Sequence, residues 1–207
     1  MADEFRGFFD PKKRSYPKDL SGHFLISELE LADPNFVKTV VLMITHDENG
    51  AFGLVVNRQA EATLGDIVPE FANSPAAAIP VFVGGPVEQQ YIFLLHGGLD
   101  GESEGAKQVV DGVVFEPSFD AVAPHLMDAW SALGDGMATP VHLYAGYSGW
   151  GPGQLEGELE HGAWLVIPAG KSLVFHGDPE AAWTEAFGSL GDLYRIAAET
   201  GYRPSLN

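Results

Sequence analysis

The sequence predicts a single α+β domain: a mixed sheet joined largely by hairpins, with helices flanking it. Three observations carry this. Short apolar, partly β-branched runs recur along the chain, as expected of buried strands. Asn49-Gly50 and Asp111-Gly112 separate pairs of such runs, and those dipeptides readily supply the positive φ of tight hairpins. Segments with helical spacing lie between the strands, but the hairpins argue against a purely parallel, doubly wound sheet.

Residues 1–20 are polar, contain Pro11 and Pro17, and read as a loose N-terminal arm; residues 21–207 form the domain. His23–Ile26 and Val37–Thr45 read as strands, separated at Leu31–Asn35 by Pro34. A hairpin over His46–Gly50 leads to a strand over Ala51–Val56, ending at Asn57-Arg58. Thr63 is placed to cap a short helix from Leu64 towards Phe71. Ile79–Val83 is a strand stopped by Gly84-Gly85-Pro86, and Tyr91–His96 follows. The acidic stretch around Glu102 reads as an exposed loop before the Val109–Phe115 hairpin. Ser118–Leu133 is helical, with Phe119, Val122, Leu126 and Trp130 on one face and Pro124 in its first turns or at a kink. Val141–Tyr144 and Trp164–Ile167 are strands enclosing a glycine-rich loop and a short segment over Gln154–Glu160. Pro179 to about Thr200 is helical, interrupted at Gly188 and Gly191.

Composition removes several function classes. The chain of 207 residues has no cysteine, so disulfides, thiolate metal sites and cysteine nucleophiles are excluded. No signal-peptide core follows Lys12-Lys13-Arg14, and no apolar run approaches a membrane span, so a cytoplasmic protein without membrane contact is expected. The formal net charge is −18. Residues 1–59 carry seven basic and nine acidic side chains; everything after them is overwhelmingly acidic. Nucleic-acid affinity rests on lysine and arginine displacing phosphate counterions, which makes direct DNA binding the weakest reading.

The most distinctive segment runs from Gly146 to Glu156, four glycines and a proline around Trp150, and reads as a shaped loop. Gly146-Tyr147-Ser148-Gly149-Trp150 approaches a G-x-S-x-G nucleophile elbow but has Trp150 at the second glycine. Gly149, Gly151 and Gly153 match neither dinucleotide nor P-loop spacing. The seven histidines show no metal-ligand spacing, so neither metal nor cofactor is expected. Glu156 and Glu160 share one helical face, read as solvated. Residues Ile196–Ser205 resemble the start of a helix-turn-helix, but the chain ends before a recognition helix; Gly201 reads instead as a helix stop.

Taken with Gly22–Ile26, Asp33–Phe36, Gly50–Arg58, Gly84–Val87 and Leu95-His96, the Gly146–Glu156 segment resembles the YqgE/AlgH family of bacterial proteins, over about Leu20 to Leu190. The resemblance implies a bent, bifurcated sheet like a partial barrel. It brings no established reaction; some members carry a transcriptional-regulator label. The family commonly has alanine where this chain has Ser148, which weakens the nucleophile reading. The expectation is therefore a non-enzymatic regulatory or binding protein that recognises a protein partner or small ligand, its oligomeric state open. Candidate contact residues are Tyr147, Ser148, Gly149, Trp150, Gly151, Gly153 and Gln154, with Asn57, Arg58, Gly84, Gly85 and Pro86 as companions. The competing expectation is a hydrolase using Ser148 or a histidine-activated water.

Overall fold

The computed structural model describes residues 14–99, 103–133 and 140–202; side chains of residues 128–133 are not described. The chain order begins β1 (His23–Ser27), β2 (Val40–Asp47), β3 (Gly50–Val55), β4 (Gln59–Thr63) and α1 (Leu64–Ile67). Two 3-10 turns lead to β5 (Pro80–Val83), β6 (Val87–His96), β7 (Lys107–Val110), β8 (Val113–Glu116) and α2 (Phe119–Leu133). The remainder is β9 (Val141–Trp150), α3 (Gln154–Glu160), β10 (Trp164–Pro168), α4 (Lys171–Val174), α5 (Pro179–Gly188) and α6 (Asp192–Thr200). It is the α+β domain the sequence predicts.

The main sheet runs β10-β1-β2-β3-β9-β6-β8-β7, antiparallel throughout. β9 is its spine, and the sheet forks along it. Val81, Phe82 and Val83 of β5 pair in parallel with Leu143, Tyr144 and Ala145. Further along the same edge, β3 takes over at Ser148, Gly149 and Trp150. The other edge is occupied by β6. The sheet then curls until its far strand, β7, returns towards β2. There the Lys107 ammonium donates to the Ile44 carbonyl at 2.7 Å, so a side chain rather than a ladder closes the curl.

Strand periodicity explains the layers. Val40, Leu42 and Ile44 point into the curl with Phe24, Ile26, Phe82, Tyr144 and Phe115, while the intervening Val41 and Met43 point outward. α5 and α6 cap the inner core with Trp183, Phe187 and Tyr194, and the Trp183 indole N–H donates to the Ser27 carbonyl at 3.0 Å. Asp178 caps α5, accepting from the Glu180 and Ala181 amides. A second layer packs α1 and the α2 residues Val122 and Leu126 on Leu94, Val141 and Leu143. A third places Leu155 and Leu159 of α3 against Leu25, Val41, Trp150 and Trp164.

Several boundaries differ from the sequence expectation. β2 starts at Val40 because Lys38 has a left-handed φ of 52° and Asn57 ties down the preceding turn. β4 carries no apolar alternation and has no signature in sequence. Pro69 ends the helix expected over Leu64–Phe71, since proline restricts the residue before it. The segment Gly146–Trp150, expected as a loop, is the second half of β9: Gly146 lies against the backbone of Gly85 and Val87 at the fork, and Gly149 against the Tyr147 ring. The hairpins at Asn49-Gly50 and Asp111-Gly112 and the glycine stop at Gly201, with φ of 74°, match expectation. The acidic loop around Glu102, the arm before Arg14 and the Trp130 side chain fall outside the described residues. Arg14–Leu20, by contrast, is tied to the body. Arg14 pairs with buried Glu28 at 2.7 Å, Tyr16 donates to the Trp164 carbonyl, and Leu20 is buried.

Candidate functional site

The fork gathers half of the sequence-predicted residues. Gly84 donates to Ala145 O at 2.9 Å, and its carbonyl accepts from Val55 N at 2.8 Å, so one residue stitches the two branches together. A Cβ on Gly84 would lie 2.3 Å from Gly146 O, and one on Gly85 would lie 2.1 Å from the Tyr147 carbonyl carbon. These glycines are there because backbone passes where a side chain would sit. Ser148 is fully buried and its hydroxyl donates to Gly84 O at 3.2 Å. No histidine among the described residues bonds that hydroxyl.

Opposite Gly146, β6 carries Glu88–Tyr91 as a bulge between the pairs Val87–Tyr147 and Ile92–Ala145. Glu88 sits at φ of 48°, and Tyr91 is exposed. Burial, reinforced by the Glu88 carboxylate, holds the Tyr147 phenol above its ordinary pKa. Arg58 borders Gly85, Pro86 and Gln89 in a shallow crevice, but its guanidinium donates to the carbonyls of Asn35 and Val37. Asn57 likewise accepts from Val40 N and donates to Lys38 O. Both side chains are engaged in holding the turn before β2.

Trp150, Gly151, Gly153 and Gln154 lie apart from the fork, at the entry to α3. Here Glu158 is the hub. One carboxylate oxygen accepts from the indole N–H of Trp150 at 2.9 Å and of Trp164 at 2.7 Å. The other accepts from Gln154 at 3.0 Å, and Gln154 in turn accepts from the Gly151 amide. Phe36 packs against both indoles. Charge-assisted bonds of this kind hold α3 at a fixed angle to β9. Trp150 is thus a buried anchor, and Gly149 and Gly151 to Gln154 form the exposed approach to the helix.

What the clamp positions is a cleft of about 870 Å³ between α3 and the Arg14–Leu20 segment. Its floor includes Leu20 and Leu159, both buried, and its walls carry Tyr16, Lys18, Glu156 and Glu160. His46, at the end of β2, stands at the base with only 5% of its side chain exposed. Its Nδ1 accepts from Leu20 N at 3.2 Å, which places the proton on Nε2; that nitrogen donates to Glu156 at 3.2 Å. Glu156 and Glu160 are solvent-exposed, as the sequence predicts, and they also line this cleft, which the sequence does not announce. The His46 partners lie 26 and 110 residues away, so no local spacing reveals them.

Two other histidine sites are structural. His142 stacks on Phe82, with centroids 4.5 Å apart, and burial pushes it down to about 4. His96 and Glu116, both fully buried, face one another at 3.5 Å. Ser103 donates to that carboxylate through its hydroxyl, and the Gly98 and Leu99 amides donate to His96. Among the described residues no three His, Asp or Glu side chains converge as a metal site requires. No helix among them is long and apolar enough to cross a membrane.

The curled, forked sheet with helices over its open side defines a class of single-domain α+β half-barrels. The chain belongs to the AlgH-like family DUF179, which matches residues 24–195. It is 37% identical over 194 residues to a UPF0301 protein of Streptomyces coelicolor, covering 91% of this chain and 95% of that one. A UPF0301 protein of Nitrosococcus oceani is 36% identical over 186 residues, covering 87% and 95%. The solution structure of AlgH from Pseudomonas aeruginosa, a UPF0301 protein, superposes with a TM-score of 0.65 at 31% identity, covering 93% of this chain and 98% of that one. A crystal structure of a Corynebacterium diphtheriae protein shares the fold, with a TM-score of 0.70 at 21% identity, covering 92% and 96%.

Proposed function

We propose that this protein is a non-enzymatic cytoplasmic binding protein whose site is the His46 cleft, and that any regulatory effect is exerted indirectly through what it binds. The observation that carries this reading is the cleft itself: concave, apolar at its floor, with a few convergent polar groups, as small-molecule sites are. The Glu158 clamp gives the glycine-tryptophan segment a role within it, as the support that sets α3 against β9. The burial of Ser148 supports binding over hydrolysis, and the acidic balance supports a partner other than DNA.

The test is thermal stability of the purified protein against a panel of nucleotides, metabolites and metal ions. A ligand of the folded state adds about 2.7 kcal/mol at a hundredfold excess over its Kd. A hit retained in wild type and abolished by Glu160→Trp, which fills the cleft from an exposed position, supports the reading. A hit indifferent to that plug but lost in Tyr91→Ala or Pro86→Ala would move the site to the fork. Labelling of the native protein by a fluorophosphonate, lost in Ser148→Ala, would restore the hydrolase.

A further inference from the structure

Resting on the reading of the His46 cleft as the binding site, we infer that its ligand is an organic cation: an amine carried on an apolar body. A cleft of about 870 Å³ is of the size that holds a compact ligand. Leu20, Leu159 and the Tyr16 ring supply contact for an apolar body at its base. The polar groups then select the charge.

Most donors around the cleft are already engaged by the protein. Arg14 is bonded to Glu28 and directed at the Trp164 carbonyl, which also receives the Tyr16 hydroxyl. His46 donates through Nε2–H to Glu156 Oε1 and accepts at Nδ1 from the Leu20 amide. Among the described residues the acceptors are not so engaged. Glu156 keeps its second oxygen, and Glu160 presents a whole carboxylate one turn further along α3. His161 is turned back on its own helix, its Nδ1 2.6 Å from the Gly157 carbonyl. An ammonium therefore meets three carboxylate oxygens, one of Glu156 and two of Glu160, whereas a carboxylate or phosphate meets two like charges, and of the two cations in the lining Arg14 is already paired with Glu28, leaving Lys18.

His46 has a positioning role in this arrangement. Nine-tenths buried, and with its tautomer fixed by a backbone amide, it pins one oxygen of an otherwise exposed carboxylate and so orients the other. The protein's field acts in the same sense. A formal charge of −18 concentrates cations around the molecule before any contact forms. Two exposed carboxylates hold a bare cation weakly in water. Affinity therefore requires the apolar body, and methylamine is expected to bind far more weakly than tryptamine.

The experiment is calorimetric titration of the full-length protein at low ionic strength with tryptamine, methylamine and indolepropionate, the last an anion of similar shape. Tryptamine is expected to bind, and indolepropionate and methylamine to bind at least tenfold more weakly. Glu156→Gln and Glu160→Gln keep side-chain shape, and the amide oxygen introduced at the first of these positions can still accept from His46; together they are expected to weaken tryptamine about tenfold. Equal tryptamine affinity in the double variant would overturn the inference. Preferred binding of indolepropionate, abolished by Glu160→Trp, would overturn the cation assignment while leaving the cleft as a site. Absence of binding by all three probes would overturn the inference, and a panel hit sensitive to the plug would still uphold the cleft.

Discussion

Adding a single methyl group at Gly84 is the most direct way to load the fork. The new Cβ would stand 2.3 Å from Gly146 O and 3.1 Å from a Leu54 methyl. Heavy atoms in ordinary contact lie near ~3.5 Å, so the strands must part by about 1 Å. The obstructing atom belongs to backbone and cannot rotate aside. Parting the strands strains the bonds Gly84 makes to each branch, Gly84 N to Ala145 O and Val55 N to Gly84 O. Two weakened backbone bonds cost about 1 kcal/mol each. Overpacking adds about 1–3 kcal/mol. Gly84→Ala is therefore expected to lose about 3–5 kcal/mol, a large part of the roughly 5–15 kcal/mol that holds a domain folded. Urea unfolding followed by tryptophan fluorescence reads this as a midpoint lowered by about 2 M. Gly157→Ala is the control: a Cβ there meets no atom within 4 Å, and α3 gains about 0.5–1 kcal/mol. A Gly84→Ala midpoint equal to wild type would refute the idea that close backbone passage explains the glycines of the fork.

Further predictions concern the clamp, the buried serine and two histidines. Trp150→Phe removes one of the indole donors to Glu158 while keeping an aromatic ring against Phe36; a cost of about 1.5–3 kcal/mol is expected in the same urea assay. Ser148→Ala is expected to cost about 1 kcal/mol, because Gly84 O keeps its bond from Val55 N. His142 stays neutral in the folded protein down to about 4, from an ordinary 6.5. The unfolded chain takes up that proton first, so the stabilisation is complete above pH 6.5 and is lost as pH falls towards 4, by about 3 kcal/mol. His142→Phe should flatten that part of the pH–stability curve. His176 acts in the opposite sense: its bond to Glu185 raises its pKa, so its contribution is present below pH 6.5 and fades as pH rises through the raised value. His176→Ala should narrow the difference between acid and neutral stability only slightly, because Glu185 is exposed.

The strands legible in sequence were those whose instructions are local. Val40–Ile44 alternates between two buried layers, Asn49-Gly50 and Asp111-Gly112 specify their own turns, and Gly201 stops its own helix. β4 was illegible because Gln59–Thr63 is an edge segment held by pairing with β5 and lacks an apolar face. The glycine-rich segment was conspicuous but ambiguous. A run of glycines marks both a shaped loop and a strand crossed closely by other backbone, and only the approach of Gly84 and Gly85 to β9 distinguishes them. The sequence groups Gly84-Gly85-Pro86 and Asn57-Arg58 with the whole Tyr147–Gln154 run as one surface; the fold sets Gly84 and Gly85 beside Tyr147 and Ser148 but carries Trp150 to Gln154 away to α3. The structure assigns most of these polar groups internal partners. The cleft was hidden for another reason: His46, Leu20 and Glu156 belong to three separate elements, and their convergence is a property of the folded sheet alone.

If the fork and the Glu158 clamp are scaffold, the His46 cleft alone responds to ligand. Backbone amide chemical shifts of the isotopically labelled protein, recorded during a tryptamine titration, test it most directly. Saturable shifts are expected at Lys18, Leu20, His46 and Glu156–His161, with Gly84–Tyr91 and Tyr147 unmoved. Saturable shifts centred on Gly84–Tyr91 and Tyr147 would instead move the site to the fork, and none in either region at millimolar tryptamine would overturn the assignment of an organic cation.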